Sequence, residues 1–413
     1  MRNLFPFILQ RPGRFDEVER RKTGSKVMER NPRKRSKAPV ASKKTSSTVT
    51  QLPSLNGCAT EGVFSAMFLQ KLLRFGRILI PEKSEISSLR MVRFSNDNGL
   101  SAAFTDLTNI AQLRASSFEG NARGTILVPF ELLRQIGKVK PDFIRFHIEN
   151  NQGIIGYESG GVSRKEDFPV IPAEEYPSID VPQDGYQRID LNLPGYIQEA
   201  SAFTADASNN TPTTGILLDG TLKSLAATDG KRLYCRHQIP FSFNDRVIIP
   251  PNKALQYMEN ASVGLKKEEN MVWIKSASAT LGLMRVEGTF PDYNRVLDID
   301  LSSYTTHWKI AERDRKTLVK LLPTLMYENK ELPVLHLKLD RDRLSIHTGK
   351  GGGGEFRTSV EGQAQLRVNA AFLRNILMVE DILECRISDK SNQPIMFTGK
   401  AGIKMLLMPL LDN

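Results

Sequence analysis

The chain has 413 residues, of which 40% are hydrophobic and 25% charged, a balance typical of soluble globular proteins with room for about three domains. Its three cysteines, Cys58, Cys235 and Cys385, are too few and too widely spaced for a disulfide framework or a zinc site, which favours a reducing cytoplasm. No apolar run approaches the roughly 18 residues that span a membrane, so we expect no membrane partner.

The net charge of +11 is concentrated at the N-terminus. Residues 1–50 carry 14 Lys/Arg against 4 Asp/Glu, whereas the rest of the chain has a net charge of only +1. We predict that residues 1–50 form a disordered basic tail. The tail is either a non-specific phosphate-binding arm, a solvated extension or a misassigned start. Asp16, Glu17 and Glu19 weaken a further interpretation, an organellar transit peptide.

From about residue 52 the chain repeats itself three times, at intervals of about 120 residues, a length that indicates whole domains rather than short solenoid units. The first marker of the repeat is a strand–turn–strand pattern with its turns at Asp106, Asp229 and Gly349. The second marker is a helix-like segment after an apolar run, and the third is an apolar residue before proline. The helix-like segments are 130–134, 253–258 and 371–377, and the apolar–proline pairs are Tyr176–Pro177, Phe290–Pro291 and Met408–Pro409.

These markers predict an α+β protein with domains at 51–183, 184–302 and 303–413, each with two amphipathic helices and a strand-rich remainder. A further helix-like segment covers residues 67–74. The strongest local signal is the Asp229-Gly230 pair in residues 227–233, because glycine takes φ > 0 freely and aspartate tolerates it. We therefore predict a hairpin there. One carboxylate and two cations do not make a catalytic set.

Cations accompany the apolar stripe of several predicted helices. Lys71 with Arg74, Arg134 with Lys138, and Arg313 with Lys316 and Lys320 are spaced to share a helical face. Two interpretations stay open: a solvated face, or a face turned towards a polyanion. Because the body is nearly neutral, any contact with DNA depends on such local placement of charge.

Motifs for catalysis are scarce. The sequence lacks a P-loop, a His-Glu-x-x-His zinc motif and a Gly-x-Ser-x-Gly nucleophile motif, and its five histidines lack metal-ligand spacing. Residues 349–354 fit Gly-x-Gly-x-x-Gly, but a strand-like run follows where a dinucleotide site requires a helix. We predict a flexible hairpin loop, no catalytic residue, no cofactor and no metal. A nucleotide-dependent enzyme that uses this loop is kept as a rival hypothesis.

Residues 52–413 resemble the bacterial β sliding clamp, the processivity subunit of the replicative DNA polymerase. The sharpest matches are 227–233 (ATDGKRL), 290–296 (FPDYNRV) and 406–410 (LLMPL); 105–107 and 171–177 match more loosely. Lys231 stands where the family usually has histidine, and the ending 411–413 and the first domain also depart from the family pattern.

The resemblance implies a head-to-tail homodimer that closes into a ring, with helices around the hole and antiparallel sheets outside. It implies a non-enzymatic protein of the cytoplasm and nucleoid that encircles double-stranded DNA, without tight phosphate contacts. Its further partners would be the replicative polymerase, the clamp loader and repair proteins, bound through short hydrophobic peptide motifs. The alternative is a clamp-like paralogue, a partner scaffold or regulator tethered to DNA through the basic tail.

The resemblance also implies the site residues. The peptide pocket, between the second and third domains, would be lined by Thr228, Gly230, Lys231, Arg232, Leu233, Pro291, Arg295, Val296, Leu406, Met408 and Pro409. The apolar members would form its walls, and Arg232 and Arg295 would hydrogen-bond peptide carbonyls or carboxylates. The cations expected to face DNA are Lys71, Arg74, Arg134, Lys138, Lys253, Lys316, Lys320 and Arg374.

Overall fold

The computed structural model describes residues 60–96, 99–117, 119–120, 124–149, 152–209, 211–259 and 263–411. The predicted basic tail, residues 1–50, lies outside this range. Within the range, no helix is long and apolar enough to cross a membrane.

The chain forms three successive segments of helices and strands. The elements of the first are β1 (Thr60–Ser65), α1 (Ala66–Leu79), β2 (Met91–Ser95), β3 (Ser101–Thr105), β4 (Asn109–Arg114), β5 (Glu119–Gly120), β6 (Thr125–Pro129), α2 (Phe130–Lys138), β7 (Phe143–Glu149), β8 (Gln152–Ser159) and β9 (Val162–Pro169). The elements of the second are β10 (Gln187–Ile189), α3 (Leu193–Ser201), β11 (Ile216–Asp219), β12 (Ser224–Thr228), β13 (Arg232–Arg236), β14 (Arg246–Ile249), a 3-10 helix (Lys253–Tyr257), β15 (Val263–Lys267), β16 (Met271–Lys275), β17 (Ala279–Met284) and α4 (Tyr293–Leu297). The elements of the third are β18 (Thr306–Lys309), α5 (Glu312–Leu321), β19 (Val334–Asp340), β20 (Arg343–His347), β21 (Gly353–Arg357), β22 (Ser359–Glu361), β23 (Gln363–Asn369), α6 (Ala370–Met378), β24 (Ile382–Ile387), β25 (Ile395–Gly399) and β26 (Ile403–Leu407).

The strands form four antiparallel sheets, and two of the sheets run across the segment boundaries. One has the order β10-β15-β16-β17-β4-β3-β2-β6, and the other has the order β14-β11-β12-β13-β26-β25-β24-β18-β22. The remaining sheets, β5-β1-β7-β8-β9 and β21-β20-β19-β23, belong to the first and third segments alone. The predicted α+β class with antiparallel sheets is confirmed.

The same two hairpins recur in every segment. The first is β3–β4, β12–β13 and β20–β21, and the second is β8–β9, β16–β17 and β25–β26. The turns of the first hairpin lie where the sequence repeat placed them, at Asp106, Asp229 and Gly349. Strand β4 pairs with β17, and β13 pairs with β26, so each joint between segments uses one hairpin of each kind.

Contacts between helices connect the first two segments and form a pair in the third. The Ser65 hydroxyl accepts from the Phe68 N–H (3.3 Å) and begins α1, which buries a stripe of apolar residues and leaves Arg74 and Arg77 exposed. Helix α1 contacts α2 on one side and the 3-10 helix Lys253–Tyr257 on the other. The 3-10 helix contacts α3, and α5 contacts α6.

Two expectations about local structure have different outcomes. The helix expected at 253–258 is instead a short 3-10 helix, which Asn252 caps by accepting from the Ala254 N–H (2.9 Å) and which ends before the extended residue Met258. The glycine-rich run 349–354 leads into β21, a strand, as predicted. The helix that a dinucleotide site requires is therefore not formed there.

Gly76 tests the contact between α1 and α2. A Cβ at this position would overlap the Phe130 ring, whereas a Cβ at Gly156 would have no neighbour nearer than 3.8 Å. Because a packed core has no room for the added methyl group, we expect Gly76→Ala to lower the free energy of unfolding by about 1–3 kcal/mol. Gly156→Ala is the matched control and should change it by less than about 1 kcal/mol. Urea unfolding measures both, and equal stability of the two variants would contradict the packing.

Candidate functional site

The turn between β12 and β13 is fixed by its own side chains. The Thr228 hydroxyl donates to the Arg232 carbonyl oxygen (2.7 Å) and accepts from the Gly230 N–H (3.1 Å). The Asp229 carboxylate accepts from the N–H groups of Lys231 (2.9 Å) and Arg232 (3.0 Å). Gly230 has a φ of 82°, which glycine adopts without steric cost. The hairpin predicted from the Asp-Gly pair is confirmed.

Strand pairing brings the end of the chain against this turn. Leu233 of β13 lies opposite Leu406 of β26, and the Met408 N–H donates to the Lys231 carbonyl oxygen (2.9 Å). Pro409 follows Met408 directly. Predicted pocket residues from two distant stretches of sequence therefore meet at the joint between the second and third segments.

A third stretch, around α4, crosses the same sheet. The buried Tyr293 hydroxyl donates to the Asp219 carboxylate (3.0 Å) and shares a hydrogen bond with the Ser224 hydroxyl (2.6 Å). Burial, the largest influence, raises the pKa of Tyr293, so this phenol stays a neutral hydrogen-bond donor. The anchor leaves Pro291 and Arg295 exposed beside the joint.

Beneath these residues lies an apolar cluster, here called the outer cluster. Its buried members are Leu217, Ala226, Leu233, Cys235, Ile248, Phe290, Tyr293, Leu297, Tyr304, Met396 and Leu406. Val296 is half-buried against it, and Met408 and Pro409 are also half-buried. Exposed Lys231 and Arg295 add positive charge at the rim. A buried apolar floor, half-buried apolar walls and a cationic rim suit a short peptide with hydrophobic anchors.

Arg232 departs from its predicted role. It is only 8% exposed, and its guanidinium lies over the rings of Phe372 (4.1 Å) and Phe203 (5.2 Å). Its Nε donates to the Asp229 carboxylate (2.9 Å). Because neighbouring residues of a strand face opposite sides, Arg232 points to the helices while Leu233 points to the outer cluster. We therefore correct the expectation that Arg232 binds a peptide: it joins the second segment to the third.

Arg236, which sequence reasoning missed, makes a second side-chain contact between the same two segments, on the same face of β13. It is 1% exposed and lies over the Tyr196 ring (3.8 Å), with ion pairs to Glu199 (3.4 Å) and Asp381 (3.1 Å). Burial raises the pKa of the Glu199 carboxyl, against the opposing effect of Arg236. The available signal was the alternation of polar residues at 232, 234 and 236, where only a hairpin was predicted.

The cations expected to face DNA are found in two settings. Arg74, Arg134, Lys138, Lys253, Lys316 and Lys320 are exposed on helices. Lys71 and Arg374 are half-buried and engaged: Lys71 bonds Ser278 and pairs with Glu259 (3.5 Å), and Arg374 donates to the Val319 carbonyl (3.1 Å). Arg77, one turn beyond Arg74 and also exposed, was not predicted, although its spacing of three from Arg74 is a usable signal. A DNA-facing role for any of them stays a prediction.

The chain is similar to known proteins in sequence and in structure. No family model matches the chain. A Beta sliding clamp from Pseudomonas aeruginosa is 24% identical over 275 residues, which cover 62% of this chain and 72% of that protein. A Beta sliding clamp homolog, GriR, from Streptomyces muensis is 23% identical over 197 residues, 44% of this chain and 51% of that protein.

Solved structures give broader coverage. The DNA polymerase III β subunit from Thermotoga maritima covers 86% of this chain over its whole length, with a TM-score of 0.68 and 18% identity. The chain has the fold of a bacterial β sliding clamp. A sliding clamp from P. aeruginosa bound to griselimycin covers the same shares at 20% identity with a TM-score of 0.69, and a clamp from Bacillus subtilis has a TM-score of 0.70 at 16% identity. The clamp fold therefore extends over the described body at low sequence identity.

Replacing Arg232 and Arg295 separately tests whether Arg232 holds the joint while Arg295 lies exposed at the rim. We expect Arg232→Met to lower the free energy of unfolding by about 3 kcal/mol, because Asp229 loses its partner at a buried joint. Arg295→Met, at an exposed position, should change it by less than about 0.5 kcal/mol. Urea unfolding measures both variants. If the Arg232→Met protein is as stable as the parent protein, the prediction that Arg232 lines the peptide pocket stands.

Proposed function

We propose that this chain is a sliding clamp: it encircles duplex DNA as a head-to-tail dimer and tethers the replicative polymerase and other partners to it. It does so without catalysis of its own, at the nucleoid of a bacterial cytoplasm. The proposal depends mainly on two strands at sheet edges, which correspond to the strands that pair with each other at the two joints inside the chain.

The hairpin repeat defines the equivalence. Strands β4, β13 and β21 are the second strands of the first hairpin, and β9, β17 and β26 are the second strands of the second hairpin. Inside the chain β4 pairs with β17, and β13 with β26. Strands β21 and β9 are left, and each is the edge of its sheet. Their pairing would repeat the joint a third time.

That third joint requires a second copy. Strand β9 is eight residues long, and all but Phe168 are exposed, so it presents a row of backbone groups for pairing. A head-to-tail contact closes into a ring only when the rotation per subunit fits. Two chains of three segments, joined by β21 of one and β9 of the other, give six segments and no free edge of this kind.

The distribution of charge suits sliding along DNA better than tight binding to its phosphates. The exposed helix cations lie on scattered positions of a body with a net charge of only +1. A protein held by many phosphate contacts loses affinity steeply with salt. Enclosure separates the residence time on DNA from the strength of those contacts, so a few cations on the helices suffice.

The groove at the second internal joint is the proposed docking site for partner peptides. Polymerase, clamp loader and repair proteins would insert apolar anchors over Leu233 and Leu406, between Val296 and Met408, with Arg295 and Lys231 at the rim. Burying one large apolar side chain contributes roughly 1.5–3 kcal/mol. Solved clamps of this fold bound to griselimycin support a ligand-binding role for the family's surface.

Retention on DNA tests the ring. We expect the protein, loaded with ATP and a bacterial clamp-loader complex, to stay on nicked circular plasmid through gel filtration in high salt and to leave once the plasmid is linearised, because only enclosure depends on topology. Protein without residues 1–50 should behave in the same way. Equal loss from both DNA forms would contradict the ring, and retention that depends on residues 1–50 would favour the tail-tethered scaffold.

Proline substitutions test the proposed third joint. Consecutive residues of an edge strand point their N–H groups alternately towards and away from the neighbouring strand. Of Arg164→Pro and Lys165→Pro, one should therefore remove only an outward donor and dissociate the dimer, with the thermal stability of the protomer kept. The other should destabilise the protomer, by about 3 kcal/mol. Native mass spectrometry and thermal melts measure the two effects, with Arg164→Ala and Lys165→Ala as controls. Two dimeric proline variants would refute this joint.

A further inference from the structure

The turn at the joint between the first and second segments has the same hydrogen bonds as the turn beside the proposed peptide groove. The Thr105 hydroxyl donates to the Asn109 carbonyl (2.7 Å) and accepts from the Leu107 N–H (2.9 Å). The Asp106 carboxylate accepts from the N–H groups of Thr108 (2.9 Å) and Asn109 (2.6 Å). These are the bonds that Thr228 and Asp229 make in the second copy. The two turns therefore share one backbone shape.

The strand that crosses the joint ends in the same way. Leu283 of β17 lies opposite Asn109, and the Met284 N–H donates to the Thr108 carbonyl (3.0 Å). Met284 thus occupies the place of Met408. The Thr105 N–H donates to the Tyr176 hydroxyl (3.3 Å), which fixes the chain after β9 beside the turn.

Leu107 occupies the position of Gly230, but in a backbone conformation that is strained for leucine. Its φ is 77°, in the left-handed region that a bulky residue rarely adopts. Its side chain is 50% exposed, so burial does not offset the strain, and Met284 beside it is 41% exposed. Ile110 and Val181 are half-buried against a small apolar cluster that includes Tyr176 and Ile179. A strained, exposed leucine beside an exposed methionine is typical of a binding surface rather than of a turn selected for stability.

The two joints differ in charge. Asp229 is neutralised by Arg232, whereas Asp106 is held by the neutral Asn109 side chain (2.9 Å), and Thr108 replaces Lys231. The adjoining stretch 172–185 has four carboxylates and neither lysine nor arginine; these are Glu174, Glu175, Asp180 and Asp184, all exposed.

This joint also holds cations, among them Arg93, which acts electrostatically on the Tyr176 hydroxyl. Arg114 (2.6 Å) and Lys275 (3.0 Å) donate to oxygen atoms of Gln183, and Arg285 donates to the Glu269 carbonyl (2.6 Å). Four exposed carboxylates therefore lie on this side of the joint beside the cations, whereas the exposed charges named at the rim of the proposed peptide groove are Lys231 and Arg295.

We propose that Leu107, Ile110, Val181 and Met284 form a second docking groove, which takes an extended peptide with apolar anchors flanked by lysine or arginine. The apolar side chains supply the anchor contacts, and the carboxylates beside Tyr176 select the basic flank. The inference rests on the proposed function only for the kind of ligand; the site is separate from the groove at Met408 and does not require a closed ring.

Two labelled peptides with identical leucine anchors test this groove, one flanked by lysines and one by glutamates. By fluorescence anisotropy with the full chain, we expect Leu107→Gly and Met284→Ser each to weaken the lysine-flanked peptide about tenfold, and Met408→Ser to leave its binding unchanged. Leu107→Gly should not lower the melting temperature, because glycine relieves the positive φ. Leu222→Gly, at a leucine 37% exposed on another turn, is the matched control and should bind normally.

Saturable binding of the lysine-flanked peptide that is lost in both groove variants supports the proposal. No saturable binding, or binding indifferent to Leu107→Gly and Met284→Ser, overturns it. The glutamate-flanked peptide tests the groove at Met408, where its binding should depend on Met408. That result and retention on circular DNA test only the proposed function. The proposed function and the second groove can therefore fail independently.

Discussion

Antiparallel pairing of β4 with β17 and of β13 with β26 is the constraint on which the rest of the structure depends. Each pairing satisfies backbone groups that would otherwise line a free edge, and it fixes one segment against the next through a continuous sheet. It also brings the end of one hairpin to the turn of another, and both proposed grooves lie at such a meeting point. The proposed grooves would thus follow from how the segments are joined, rather than being separate additions to a finished domain.

Strand β13 shows how one strand serves two purposes. Its alternate residues Arg232 and Arg236 face the helices, where aromatic rings and carboxylates hold them, and Leu233 and Cys235 face the outer cluster. The helix side supplies charged and aromatic contacts that lock the joint, and the outer side supplies the apolar floor. Because the side-chain period is two, a slip of one residue in the pairing would exchange these faces, so the joint and the groove specify the same register.

Sequence reasoning reached the turns, the repeat and most helices, because glycine and proline positions and apolar spacing are local signals. Residues 227–233 gave the hairpin, and 371–377 gave the core of α6. It failed where a residue's role depends on distant partners. Arg232 was assigned to the groove because a motif names a position but not a face, and the ion pair between Arg236 and Asp381 joins residues that no local pattern relates. Likewise, no local sequence pattern indicates that Leu107 is exposed, because its exposure depends on the hydrogen-bonded turn around Thr105.

The three copies of the first hairpin also differ in how firmly their turns are held. Two are fixed by an aspartate and a threonine side chain, whereas the third has Gly349 at the aspartate position and closes through backbone bonds between Thr348 and both Gly351 and Gly352. The two internal joints remain covalently tethered if their pairing loosens; a joint between separate chains has no tether. In the proposed ring, which would have to admit DNA, opening should be least costly at the joint with the fewest side-chain restraints, and the glycine-rich turn lies beside the strand edge that would form that joint.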